Sequence, residues 1–427
     1  GPSADSTFMV VARAHAIRSV ATPVPGASWQ ARVHDANQVS ARLRDIWRDY
    51  GAARNAASVE RSPSGTDGGA MPVARAATMN LIAASRSRRD AQRIRQTIAS
   101  LEEIHPSRAT ILYSDTTGLI DPTAGLDVQI ELLEHTSARG RPATVFECIT
   151  IDVSAENEAQ LASIASPLLM PDLPDGLWWA TDPTDTSQLF IELVDVCDRL
   201  IVDSAMAVHP AAGLHNLRAF VGDLREDVAL GDLAWARLSP WRRLTTQFFD
   251  VPGTLPVLDL IDEVSLTYGN SAHQWSGFSG ALLYAGWLGS RLGWRTPGEL
   301  LPVRGDPNVW RATLRAGSSG QQREVSVTLR PTARPLAAST LLDVKLAADG
   351  GKAGVFKIDR LDENEISTNS DMPGTASIVR TVFAPLPGEA DLLAEQLRAF
   401  SRDPVFEAAM IFAADLAPAG FTGVAPR

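Results

Sequence analysis

The chain has 427 residues, 45% hydrophobic and 21% charged, and a formal net charge of −11. That length predicts two or three domains and that balance a soluble globular protein, while the excess of acid argues against nonspecific nucleic-acid or anionic-membrane binding as the main task. Two cysteines, Cys148 and Cys197, are too few for a disulfide scaffold or a four-cysteine zinc site, and no apolar run approaches the ~20 residues that cross a bilayer.

Residues 1–30 are expected to be a tail, the first seven reading as a cleavage scar plus native residues without the layout of a signal peptide, so a cytoplasmic location is expected. Val39, Leu43, Ile46, Trp47 and Tyr50 recur at helical spacing and predict an amphipathic helix over 34–50. The Ala-, Ser-, Gly- and Pro-rich stretch 51–74 reads as a flexible connector. A strand over 76–84 then leads into a helix over 90–104, with Ala91, Ile94, Ile98 and Leu101 on one stripe. Strands near 108–113, 127–134 and 144–153 precede a helix around 157–166. Pro167, Pro171 and Pro174 hold the backbone extended ahead of a strand over 176–181. In it Trp178 and Trp179 are adjacent and must point to opposite faces, so both faces of the sheet should be covered. A helix over 187–199, a strand over 200–204 and further helices to about 250 follow. The alternation predicts an α/β domain over 31–254, with a mainly parallel or mixed sheet flanked by helices.

From about residue 255 the pattern changes. A strand over 257–268 and a helix over 279–292, with Leu282, Leu283, Trp287, Leu288 and Leu292 at buried-type spacing, lead into β-segments at 309–314, 324–329, 341–346, 355–359 and 377–383. Val325, Val327 and Leu329 alternate with polar residues, as an antiparallel sheet with one solvated face requires. A terminal helix from Glu389, bearing Leu392, Leu393, Leu397 and Phe400, is expected to cover the other face. Residues 255–427 therefore predict an α+β domain, an antiparallel sheet covered by helices.

Enzyme signatures are mostly missing. The first βα junction reads Ala83-Ala-Ser-Arg-Ser-Arg-Arg89, with no G-x-G-x-x-G. Gly350-Gly-Lys352 lacks the upstream glycine of a phosphate loop, and Gly277-Phe-Ser-Gly280 misses the spacing of a nucleophile elbow. The seven histidines are scattered without metal-ligand spacing. No catalytic residue, metal or cofactor is expected.

Four constellations bear on binding. Arg86, Arg88, Arg89, Arg93 and Arg95 crowd a helix start; they read either as a grip on an anion or acidic partner or as a solvated helix face, and Arg108 joins Arg86, Arg88 and Arg89 as a candidate anion contact. Cys148 and Cys197 read as buried free thiols, with a redox switch as the alternative. Asp198, Arg199, Asp203 and Ser204 read as a turn-fixing cluster. Trp241, preceded by Pro240 and followed by Arg242 and Arg243, and Trp275, in a Gly/Ser-rich loop, read either as interface anchors or as interdomain core.

Pro167–Trp179 and Asp198–Ala205 resemble the glucose-6-phosphate dehydrogenase assembly protein, or OpcA, family. Arg75–Ile82, Pro106–Leu112, Phe146–Asp152, Leu233–Arg243, Leu282–Trp294 and Leu392–Ala409 are similar to its further elements in order, so roughly residues 30–415 are covered. The resemblance implies a noncatalytic protein that binds glucose-6-phosphate dehydrogenase and favours its active oligomeric state. The alternative from the residues themselves is an enzyme or sensor for a sugar phosphate or nucleotide sugar, gripping the anion near 86–95.

Overall fold

The computed structural model describes residues 24–418, except 34, 62–73, 76, 87, 102–104, 116, 122, 124, 136–143, 185–186, 252, 270–275, 318–321, 333 and 335–340. The chain forms two large sheets with helices between and around them, an α/β architecture with an α+β second half, as expected. The first sheet comprises β1 (Val24–Val33), β2 (Ala74–Arg75), β3 (Met79–Ser85), β4 (Ser107–Asp115), β5 (Leu126–His135), β6 (Thr144–Ser154), β7 (Asp175–Trp179), β8 (Arg199–Val202) and β9 (Ala229–Asp232). The spatial order is β1-β5-β6-β4-β3-β7-β8-β9, with β2 also paired to β6. The six strands from β6 to β9 run parallel, and β5 and β1 add an antiparallel edge. Among the parallel strands, β3 leads outward to β4 and β6 on one side, then β7, β8 and β9 fill the other. This is the doubly wound order of dinucleotide-binding folds, with its reversal point between β3 and β7.

Helices on both faces explain why the parallel strands read as continuous apolar runs. All seven residues of β3 are buried. Leu81 and Ala83 face α2 (Arg88–Leu101) through Ile94, Ile98 and Leu101, while Ile82 and Ala84 share the opposite core with Leu177 and Trp179. Trp178 and Trp179 fall in different cores, as adjacent strand residues must. The Trp179 ring meets Phe190 of α4 (Gln188–Val194) edge-on at 4.9 Å. The remaining helices are α1 (Ala36–Arg61), α3 (Leu161–Ala165), α5 (Pro210–Asp223), α6 (Leu233–Arg237), α7 (Ser239–Phe249), α8 (Ser276–Arg291), α9 (Glu389–Gln396) and α10 (Pro404–Leu416).

The second sheet runs β11-β12-β13-β10-β14-β15-β16-β17, from β10 (Ile261–Gly269), β11 (Leu301–Val303), β12 (Asp306–Ala316), β13 (Arg323–Thr332), β14 (Leu341–Ala348), β15 (Gly354–Arg360), β16 (Glu365–Asp371) and β17 (Ile378–Phe383). It is antiparallel except where β10 pairs with β13, because α8, β11 and β12 intervene as a crossover. Its inner face carries Val264, Leu266, Leu314, Val327, Val344 and Ile358 into the main core under α8.

Several boundaries differ from expectation. The first helix continues through Arg61, because Ala52, Ala53, Ala56 and Ala57 are strong helix formers, and 62–73 lie outside the described residues. Pro256 opens a 3₁₀ segment over Leu255–Leu260, so the strand begins at Ile261. The single terminal helix is two, divided before Pro404, whose N-cap is Asp403. Neither is the cover of the buried face of the second sheet, which is α8. α9 packs on the first sheet beside α2 and α6, and α10 packs against α8 and α5.

The α8–α10 contact is close enough to require glycine. A Cβ on Gly286 would stand 2.1 Å from the Ala409 carbonyl oxygen. Gly286→Ala should therefore destabilise the fold by ~3 kcal/mol, measured as a lowered midpoint in urea unfolding; an unchanged midpoint would show that the two helices separate freely.

Candidate functional site

In a doubly wound sheet the ligand crevice opens at the carboxyl ends of the strands flanking the reversal point, here β3 and β7. A dinucleotide there needs a glycine turn, so that its pyrophosphate can approach the backbone at a helix N-terminus. This turn instead begins Ser85-Arg86, with Ser85 buried. The Arg86 guanidinium reaches Glu158 at 2.8 Å, tying the end of β3 to the 3₁₀ segment Ala155–Gln160 after β6, across the intervening end of β4. Asp115 ends β4, where such folds place the acid that binds a ribose hydroxyl. Its carboxylate is already engaged: it accepts from the Thr117 hydroxyl and from the amides of Thr117 at 2.9 Å and Ile120 at 2.7 Å. These bonds, the Thr117 hydroxyl foremost, hold its pKa down to about 2.

The other half of the crevice is equally occupied by the protein's own groups. Asp182, just beyond β7, accepts from the amides of Thr184 (2.9 Å) and Val208 (3.2 Å). Asp203 at the end of β8 takes two bonds from Arg237, at 2.8 and 2.7 Å, and one from the amide of Ala205. Asp232 at the end of β9 caps α6, accepting from the amides of Ser204 (3.0 Å) and Ala234 (2.9 Å). Burial, then the neighbouring Asp203 charge, pushes the Asp232 carboxyl up to about 6. Ser279 of α8 donates to the Ser204 carbonyl at 3.0 Å, so the helix that spans the second sheet touches this cluster. Arg93 completes the wall. It pairs with Glu389 of α9 and lies 5.8 Å from the Trp178 ring centroid. What was expected as a solvated or ligand-gripping arginine face is, at Arg93 and Arg95, a set of internal ion pairs, Arg95 binding Glu131 at 2.6 Å.

The other candidates scatter. Arg108 is mostly buried, donating to Glu147 and to the Leu168 carbonyl at 2.8 Å, while the Trp47 indole of α1 bonds the same carboxylate. That triad fastens a helix to the sheet and leaves the guanidinium little surface for an anion. Arg88 and Arg89 occupy the first turn of α2, and their side chains lie outside the described residues. Trp241 is 1% exposed, within the main core. Pro240 starts α7 and sets Trp241 on the face it shares with Leu244 and Thr245, turned inward, so its ring offers no surface to a partner. Arg242 stacks 3.6 Å above the Trp235 ring and donates to Ser239; burial lowers its pKa to about 10. Arg243 is exposed, and Trp275 lies outside the described residues. Cys148 and Cys197 are both buried and unbridged, in cores on opposite sides of the first sheet, and burial pushes the Cys197 thiol up to about 12. Sequence reading missed Asp115, Asp182 and Asp232, whose one signal was an acid directly after an apolar strand.

Among the described residues no helix is long and apolar enough to cross a membrane, and no group of three or more His, Cys, Asp or Glu is placed to hold a metal. Two family profiles match the chain: the glucose-6-phosphate dehydrogenase subunit N-terminal domain over residues 98–219 and its C-terminal domain over 228–410. The chain belongs to the OpcA family. It is 34% identical over 185 residues to the OxPP cycle protein OpcA of Nostoc punctiforme, covering 43% of this chain and 37% of that one. With the OpcA of Synechococcus elongatus it shares 29% over 280 residues, 64% of this chain and 60% of the relative. The matches thus span less than two thirds of these relatives' length. Among solved structures, an NAD binding oxidoreductase from Klebsiella pneumoniae aligns at a TM-score of 0.44 and 10% identity, over 79% of this chain and 94% of the other. Myo-inositol dehydrogenase from Lactobacillus casei aligns at 0.40 and 11% identity, over 79% and 93%.

Two outcomes follow from the geometry. Trp241→Ala should cost ~3–5 kcal/mol of folding stability, read as a lower thermal midpoint; an unchanged midpoint would return Trp241 to the surface. Asp232 gives a pH signature. Its folded pKa of about 6 exceeds the ordinary 3.8, so between those values the unfolded chain sheds a proton that the folded chain keeps. Stability should fall across that window as pH rises, by up to ~3 kcal/mol, and then level. Asp232→Asn, which mimics the protonated acid, should flatten the decline in denaturant titrations from pH 4 to about 7.

Proposed function

We propose that this protein is a noncatalytic partner of glucose-6-phosphate dehydrogenase that favours the assembled, active state of that enzyme. The family profiles, which describe a subunit of the dehydrogenase, support the partner's identity. The single observation that carries the noncatalytic reading is the state of the crevice. Where a doubly wound fold offers a glycine cradle and a free ribose acid, this chain places the Arg86–Glu158 pair and a carboxylate bound to its own loop. Converting that crevice to a nucleotide site would require breaking an ion pair and two amide hydrogen bonds. A cytoplasmic setting goes with this reading.

The mechanism is differential binding. A surface that meets the active arrangement of the dehydrogenase better than the inactive one shifts the equilibrium by the difference in binding free energy. A coupling of ~1–3 kcal/mol raises substrate affinity about 5–150-fold. Among the sequence-derived contact residues, Arg243 is the exposed one within the described set.

The purified chain should not oxidise glucose 6-phosphate with either nicotinamide cofactor, and sugar phosphates or nucleotides should leave its melting temperature unchanged. Added to the dehydrogenase, it should raise activity saturably and enter a larger complex by light scattering. Turnover by dehydrogenase-free protein, or a large melting shift with NADP or glucose 6-phosphate, would instead assign the chain to catalysis or sensing.

A further inference from the structure

The outer face of the second sheet follows from the register. On β12 it bears Arg311, Thr313 and Arg315, all exposed, opposite Thr328, Ser326 and Glu324 of β13. Arg330 lies two residues beyond Thr328 on the same face. Glu263, Ser265 and Thr267 of β10 continue the face, then Lys345 and Asp343 of β14, which pair in register with Lys357 and Asp359 of β15. At the far edge β17 presents Val379 and Phe383, 57% and 44% exposed. No described helix lies on this face, since α8 sits on the inner one and α9 and α10 pack elsewhere.

Charge is concentrated at the β11–β12 edge. Arg304, at the turn between these strands, joins Arg311, Arg315 and Arg330, and among the described residues none of the four is in an ion pair. That contrasts with Arg54, Arg86, Arg93, Arg95, Arg108 and Arg237, each held by a carboxylate. Glu324 stands opposite Arg315 in the register without reaching it, and Arg311 donates its Nε to the Thr328 hydroxyl at 3.3 Å. An open groove of about 590 Å³ lies here, lined among others by Pro297, Glu299, Leu301, Arg304, Arg311 and Thr313. In a chain of net charge −11, Arg304, Arg311, Arg315 and neighbouring Arg330 outnumber Glu299, Asp306 and Glu324 around this groove, so the local balance is slightly positive.

We infer that the outer face of the second sheet is the surface that receives the dehydrogenase, with the β11–β12 groove taking an acidic segment of that partner. The inference rests on the reading under Proposed function and adds the location and the chemistry. Eight strands at ~4.8 Å spacing and ~20 Å of strand length give about 700 Å² of face, close to the ~800 Å² that one partner contributes to a stable interface. The composition suits a reversible contact: an arginine edge to orient the encounter, a polar centre where Lys345 already pairs with Glu263, and two apolar side chains at the opposite edge.

The test is a titration of the full chain into the dehydrogenase at low and high salt, reading affinity by calorimetry, with Arg311→Glu, Arg315→Glu, Arg311→Lys and Arg243→Glu. All three positions are solvated, and melting temperatures verify the fold of each variant. Each sheet reversal should weaken binding about tenfold or more and reduce its salt dependence, Arg311→Lys should retain most of it, and Arg243→Glu should bind normally. Undiminished binding by both sheet reversals overturns the location. Loss at Arg243 alone moves the contact to α7 and overturns it as well. If inorganic phosphate stabilises the unaltered chain through Arg311 while dehydrogenase affinity ignores that residue, the groove is a small-anion site and the proposal fails. No binding by the unaltered chain overturns the dehydrogenase reading itself, a different failure from normal binding with indifferent variants.

Discussion

The docking of α9 on the first sheet sets what every other part of the molecule is free to do. A parallel sheet must be covered on both faces, and on one of them α2 alone does not reach across β7 and β8. Leu392, Leu393 and Leu397 supply the missing cover, sharing a core with Leu81, Ile98, Trp178 and Ile201. Polar contacts fix the placement: Glu389 meets Arg93 and Thr97, and Gln396 accepts from Arg199 at 3.0 Å. Gly231 permits it, since a Cβ there would stand 2.4 Å from the Gln396 side-chain oxygen. Because α9 is committed here, it cannot shield the second sheet.

The same economy runs through the crevice. Arg86, Arg93, Asp115, Asp182, Asp203 and Asp232 are residue types that bind nucleotides in other proteins, and all but Arg93, which is on α2, stand at strand ends where such ligands sit. Each is spent on a loop amide, a helix cap or an internal ion pair. The topology of a dinucleotide-binding fold is thus combined with strand-end groups that already have partners within the chain. Topology is held by apolar burial, which tolerates many sequences, whereas cofactor binding depends on a few glycines and unengaged polar atoms.

The extent to which sequence foretold structure follows the same division. Five of the six parallel strands and α2 were legible because apolar runs and a 3.6-residue stripe are direct records of burial. β16 was not, because Glu-Ile-Ser-Thr-Asn-Ser-Asp has one apolar residue and pairs within a half-solvated sheet. β9 was hidden by its four-residue length, and β1 by its place in an apparent tail. The crevice was legible in one respect, the missing glycines. Trp241 shows the limit: proline before and arginines after suggest a surface, yet the helical phase fixed by Pro240 turns the ring inward. The outer sheet face was legible in part: the alternation of Val325, Val327 and Leu329 marks one face as solvated, whereas the lack of a described helix over it depends on where distant α9 packs.

The route of the chain carries a consequence for how this protein comes into being. All nine strands of the first sheet precede residue 233, but the helix that seals one of its faces follows the entire second sheet. During synthesis the first sheet therefore emerges with Trp178, Ile201 and their neighbours uncovered, and stays so until the second sheet has been made. Its contacts with α9 are among the most distant in sequence, and such closures are slow. The two halves are laced into one cooperative unit, and a nascent or truncated chain ending before Glu389 would present a sticky apolar surface to chaperones and neighbours alike.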